Sequence, residues 1–241
     1  MNTPPLHTFG NGIKEYLHDF VGLFFPSLCC VCEEHLVKGE HLLCLTCYHD
    51  LPFTDFHLLP DNVIAKRFWG RVNIESATSL LHFQKGNKVQ QLVHQLKYTG
   101  REDVGIYLGE MMGKQLKESD TFKDVGLVVP VPLHWRKHLI RGYNQSACFG
   151  EGIASAMGVE SNPQLLRRAA YTQTQTKKTR EERWHNVKDV FALHNAAQYQ
   201  GKHILLVDDV VTTGATLEAC AQKLLTIPGT KVSLATIAVA E

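Results

Sequence analysis

Residues 204–216 read "ILLVDDVVTTGAT". An apolar run leads straight into two adjacent acids, Asp208 and Asp209, and small residues follow. A strand ending at the carboxyl edge of an open α/β sheet delivers its next residues to the usual ligand crevice. The chain then enters "ATLEACAQKLL", residues 215–225, which has helical spacing. Successive amides in such a turn, with the helix N-terminus, make a nest for a phosphate. Val211, Thr212, Thr213, Gly214, Ala215 and Thr216 are therefore the expected phosphate- and ribose-binding residues. The threonines add hydroxyl donors, and Gly214 allows close backbone approach.

The acids need a different partner, because two carboxylates beside a phosphate repel it. Vicinal ribose hydroxyls fit, since an ionised carboxylate accepts strong hydrogen bonds from both. The pair can also hold magnesium, directly or through water. An ordinary strand-to-helix turn explains one acid as a cap. It does not explain two acids, three threonines and a glycine together. Neither GxxxxGK[ST] nor GxGxxG occurs, so a nucleotide P-loop and a dinucleotide fingerprint do not compete.

The rest of the chain frames this stretch. Its 241 residues suit one large domain, or one domain plus a small module. Net charge is +1, which gives no whole-molecule argument for nucleic acid. Basic residues do cluster between Arg167 and Arg183, so a local cationic patch is expected. No secretory signal pattern is visible, and "FVGLFFPSLCC" is too short to span a bilayer. The expectation is a cytosolic protein whose thiols stay reduced.

Residues 13–25, "IKEYLHDFVGLFF", read as an amphipathic helix that packs on the body, with a membrane surface or a partner as the alternative. From about residue 71, strand patterns ("NIESATSLLHF", "GLVVPVP", "HILLVDD", "KVSLATIAVA") alternate with helical ones ("KVQQLVHQLKY", "DVGIYLGEMMGKQL", "NQSACFGEGIASAM"). That alternation predicts an α/β fold on a mostly parallel sheet. The expected division is 1–60 for an N-terminal helix and cysteine module, and 61–241 for the larger domain.

Cys29, Cys32, Cys44 and Cys47 form C-x2-C-x11-C-x2-C. Four thiolates at this spacing suit a closed, structural zinc site, with an iron–sulfur cluster as the rarer alternative. Cys30 is expected to be a bystander. Cys148 and Cys220 sit on apolar helix faces and read as core. Such a knuckle either staples a loop or presents a surface to nucleic acid or protein.

Together, "VVPVPLHWRKHLIRGYNQS", "ILLVDDVVTTGAT" and the preceding four cysteines resemble the ComF family of competence proteins, which carry a type I phosphoribosyltransferase domain. The resemblance implies a type I phosphoribosyltransferase-like parallel sheet flanked by helices. It implies Asp208 and Asp209 as the catalytic pair and phosphoribosyl pyrophosphate, with Mg2+, as ligand. A second anion site is then required. It is assigned to the loop carrying Val131, Pro132, Arg136, Lys137 and Arg141, facing the pyrophosphate. The polar segment 168–187 resembles the hood of this fold, bringing Lys178 or Arg180 to the leaving pyrophosphate.

Two functions follow from the resemblance. One is a competence protein that binds phosphoribosyl pyrophosphate and assists uptake or processing of single-stranded DNA, at the cytoplasmic face of the inner membrane, with competence or recombination proteins as partners. The other is an active phosphoribosyltransferase with an unidentified base or amine as acceptor. Single-strand binding needs basic residues beside aromatic platforms. Lys66, Arg67, Phe68, Trp69 and Arg71 form such a cluster, as do Trp135 with Arg136, and Arg183 with Trp184.

Overall fold

A computed structural model describes residues 26–84, 86–168 and 190–240. The chain divides at Asp50 into two compact units. In the first, Leu28 and His35 form an antiparallel bridge. Helix α1 (Leu45–His49) follows, with Cys44 as its N-cap.

The second unit is built on a five-stranded parallel sheet. Its strands are β1 (Ser76–Phe83), β2 (Leu127–Pro130), β3 (Glu160–Ser161), β6 (His203–Val211) and β7 (Lys231–Ala240), in the order β1-β7-β6-β2-β3. The central strands β6 and β7 are apolar on both faces, as the continuous runs predict for a covered parallel sheet. A separate antiparallel pair joins β4 (Leu166–Arg168) to β5 (Phe191–Leu193).

Helices α2 (Val63–Phe68) and α7 (Ala215–Leu224) share one core with the sheet. Ile64, Phe68, Leu217 and Leu224 pack there with Leu127, Val129, Leu206 and Leu234. Asn62 fixes α2 in place. Its side chain accepts from the amides of Ile64 and Ala65, while its Nδ2 donates to the Ala77 carbonyl of β1 at 2.7 Å.

Helix α6 (Gln145–Met157) packs on β2 and β6 through Gly150, and on α4 (Glu102–Glu118) through its other side. A Cβ at Gly109 would lie 2.2 Å from the Phe149 carbonyl oxygen, and one at Gly152 would lie 2.1 Å from that of Ile106. The two helices therefore meet backbone to backbone, and only glycine fits. Helix α3 (Lys88–Tyr98) buries Val89, Leu92, Val93 and Leu96. Cys148 and Cys220 are buried, as their helix faces predict.

Two expectations are corrected here. Residues 133–142 do not form a loop throughout; Trp135–Arg141 form helix α5, entered through a His134 N-cap whose Nδ1 accepts from the Arg136 amide. Strand β6 does not stop at the acids. It pairs with β7 as far as Val211↔Val239, so both carboxylates belong to the strand's last residues. Residues 13–25, and Lys178 and Arg180, lie outside the described residues.

Candidate functional site

The carboxyl edge of the sheet collects the predicted sugar and phosphate residues. Val211 and Gly214 are buried, while Thr212, Thr213, Ala215 and Thr216 are exposed on the turn into α7. Gly214 is the N-cap of α7, at φ +78°. A Cβ there would lie 2.8 Å from Cζ of Phe68. Left-handed backbone and close approach thus both demand glycine. Gly214 has no side chain to cap the helix, and the Ala215 amide points at Thr213 Oγ1 at 3.5 Å. Amides in the first turn of a helix lack intrahelical partners, and an anion can take them.

The turn's carbonyls are held from behind. Arg67 donates to the carbonyls of Thr212 and Ala240, and Arg71 to that of Thr213 at 3.2 Å. Arg71 also pairs with Glu218 of α7. Two cations thus brace the turn through its carbonyl side. This changes the reading of the 66–71 cluster. Phe68 is fully buried and cannot stack on a base, and Arg67 and Arg71 are structural braces. Trp69 remains 59% exposed, with Lys66 Nζ 5.9 Å from its ring.

The acidic pair is half-buried and already engaged. Ser146 Oγ donates to Asp208 Oδ1 at 2.9 Å, as does the amide of Asp209. Lys97 Nζ lies 2.8 Å from Asp209 Oδ2, and the Val210 amide donates to Asp209 Oδ1. Burial pushes the Asp208 carboxyl up to about 7, the neighbouring charge of Asp209 pushes the same way, and the Ser146 and amide hydrogen bonds oppose them. Three of the four carboxylate oxygens are therefore committed to protein donors. Oxygen donors suit magnesium. This arrangement fits an ion that shares the carboxylates with ligand phosphates, rather than an all-protein cage.

The second predicted anion loop follows β2. Val131 is buried and Pro132 half-buried. The Val131 amide donates to the Val207 carbonyl, and Asn144 Nδ2 donates to the Val131 carbonyl. Arg136 and Lys137 ride on the exposed helix α5. Arg136 stacks over Trp135 at 5.2 Å. Arg141 donates to Gln145 Oε1 at 2.7 Å and lies over the Tyr98 ring, so it braces the start of α6.

In the first unit, the sulfurs of Cys29, Cys32, Cys44 and Cys47 all lie within 4.8 Å of one another. A tetrahedral zinc with Zn–S bonds of about 2.3 Å places its sulfurs about 3.8 Å apart. Cys32 and Cys44 Sγ are 3.6 Å apart. The amides of Cys44 and Cys47 point at Cys29 and Cys44 sulfurs at 3.4 Å. Burial pushes the Cys29 thiol up, but backbone donors from Cys32, Cys44 and Val31 outweigh it and bring it to about 6. The four thiols could hold a metal ion; Cys30 stands outside the group.

Sequence reasoning missed Lys97 and Ser146 as partners of the acids, and Arg67 and Arg71 as braces. Ser146 had a signal, since Asn144 is the N-cap of α6 and places Ser146 in its first turn. Nothing local to Lys97 foretold an ion pair across so long a stretch of chain.

Residues 145–240 match the phosphoribosyl transferase domain family. DNA utilization protein YhgH of Salmonella typhimurium is 36% identical over 137 residues, 56% of this chain. The chain spans 60% of that relative's length. The protein of the same name from Escherichia coli is 28% identical over 219 residues, 84% of this chain and 92% of its own. Competence protein F of Haemophilus influenzae is 28% identical over 112 residues, 46% of this chain and 49% of its own. Among solved structures, the allosteric regulatory enzyme of purine biosynthesis aligns at 20% identity and TM-score 0.42, over 60% of this chain and 30% of that one. No described helix is long and apolar enough to cross a membrane. The second unit therefore has a phosphoribosyltransferase-like fold, and the chain is a homologue of proteins named DNA utilization protein YhgH and Competence protein F.

Proposed function

We propose that this chain is a ComF-type competence protein that binds phosphoribosyl pyrophosphate and assists the uptake or processing of single-stranded DNA. One observation carries the ligand half of this reading. Two carboxylates near the end of β6 shortly precede an exposed, glycine-capped turn whose carbonyls are braced by Arg67 and Arg71. Asp208 and Asp209 would take the ribose hydroxyls, and the turn from Thr212 to Thr216 the 5-phosphate. Val131, Pro132, Arg136 and Lys137 would serve the pyrophosphate. Magnesium, when bound with the ligand, would neutralise the pyrophosphate beside the acidic pair.

Calorimetry with phosphoribosyl pyrophosphate and magnesium tests this. Saturable binding is expected in the wild-type chain. The double variant Asp208→Asn, Asp209→Asn is expected to lose the ligand-dependent rise in Tm. An unchanged melting shift would remove the acids from the site.

The DNA half rests on the names of the relatives and on two exposed tryptophans, Trp69 and Trp135, each beside a cation. Arg183 and Trp184 lie outside the described residues. Labelled single strands should bind with an affinity that falls steeply with salt. Binding that is absent or indifferent to salt would leave only the ligand half. Competence or recombination proteins, and the cytoplasmic face of the inner membrane, are the partners and place this reading implies.

The first unit would hold structural zinc through Cys29, Cys32, Cys44 and Cys47. Metal analysis of the wild type should find one equivalent, and Cys32→Ser should lose both the metal and solubility.

A second reading, an active phosphoribosyltransferase, is favoured by a cleft of about 1310 Å³ beside the pyrophosphate loop, lined among others by Pro132, Leu133, Trp135 and Arg168. Such a cleft has room for an acceptor base. Pyrophosphate release with one member of a base panel would support it. Ligand binding without release under any acceptor would favour the first reading.

A further inference from the structure

We propose that Lys97 is a built-in counter-cation of the acidic pair, which lets the sugar-phosphate site take an anionic ligand without a divalent ion. This rests on the phosphoribose reading above and deepens it.

Lys97 Nζ sits 2.8 Å from Asp209 Oδ2, and the two side chains are only 18% and 17% exposed. An exposed pair would contribute little and would be screened by salt. This one is largely withdrawn from water, so its charge is felt locally. The helix that carries it is fixed on both sides of the lysine. The Tyr143 hydroxyl donates to the Leu96 carbonyl, and Arg141 lies 5.5 Å over the Tyr98 ring. Those two residues lead into α6, which itself supplies Ser146 to Asp208. Lys97 and Ser146 thus reach the two acids from elements tied to each other.

The consequence is electrostatic. Neighbouring carboxylates alone would repel a phosphorylated sugar, and a divalent ion would have to offset them. With the ammonium held on Asp209, the floor of the site carries one negative charge less. The Asp209 carboxylate keeps its orientation for a hydroxyl donor. Its other oxygen already accepts from the Val210 amide, so the group cannot swing freely. Lys97 is a positioning residue here, acting through Asp209. Removing it would transfer its task to magnesium.

The test titrates ribose 5-phosphate calorimetrically into the full chain in magnesium-free, resin-treated buffer, which spares a cysteine-bound metal, and again with magnesium. Wild type is expected to bind with affinities within about threefold in the two buffers. Lys97→Met is expected to lose about tenfold or more without magnesium, the usual size for a charged hydrogen bond, and to regain most of it with magnesium. Lys97→Arg should retain magnesium-free binding. Two outcomes overturn the proposal: wild type that binds only with magnesium, or Lys97→Met that matches wild type without it. The first needs no variant, so a misfolded Lys97→Met leaves the idea exposed to refutation. Wild type that binds in neither buffer is a separate failure, which takes down the sugar-phosphate site itself.

Discussion

The turn after β6 and the segment after β2 leave neighbouring parallel strands at the same edge of the sheet, yet they are held very differently. The first is braced by Arg67 and Arg71, closed by a glycine against Phe68, and continued by a helix that buries Leu217, Cys220, Ala221 and Leu224. The second runs into α5, which buries no residue and exposes Trp135, Leu139 and Ile140. One turn is preorganised by packing; the other depends on its ends. A preformed site loses less freedom on binding, so the β6 turn should contribute affinity, and the α5 segment adaptability.

The strongest challenge to this contrast is Gly214→Val. It forces a β-branched residue into a left-handed conformation and against Phe68. A loss of about 3 kcal/mol or more is expected in urea unfolding, together with loss of the ligand-induced Tm shift. A near-neutral result would mean the turn is not tightly packed. Next comes a pair of arginines. Arg67→Met should weaken phosphoribosyl pyrophosphate about tenfold by freeing the turn's carbonyls, roughly 1.4 kcal/mol, whereas Arg136→Met should cost clearly less. Equal losses would erase the distinction between the two segments.

The acidic pair gives a pH signature. Asp208 titrates near 7 in the folded chain, well above an ordinary carboxyl. Between about pH 4 and 7 the native state holds a proton that the unfolded chain has released. Stability should therefore fall as pH rises through this window and level off above it. Asp208→Asn should flatten that slope and raise stability at pH 8, where the wild-type carboxylate is ionised in a buried site. A slope that survives the substitution would assign it to another group. The smallest effect belongs to α5. Leu139→Ser should alter stability by less than about 0.5 kcal/mol, because the side chain is 77% exposed. A larger cost would show that α5 packs more firmly than its exposure indicates.

Much of the site was legible because its signals are local. The strand, the two acids, the turn and the helix start follow one another in thirteen residues, and each has a mechanical reason to stand next to the last. The cysteine pairs are equally local, since ligand spacing is a property of a short turn. The α5 segment misled for the same reason. Its basic residues looked like a loop facing an anion, while the His134 cap and a run without proline make it a helix.

By itself, then, the sequence determined the strand–turn–helix unit, the need for glycine at 214 and the grouping of four thiols, all set by neighbours along the chain. Tertiary structure alone decided which groups meet the carboxylates and which hold the turn. Lys97 and Ser146 reach the acids, and Arg67 reaches Thr212, only because parallel crossovers bring distant helices to one sheet edge. The end of β6 was decided there too, since its last residues become strand by pairing with β7. Hydrogen bonds and charges act through space, and the order of residues along a chain does not state which of them space will bring together.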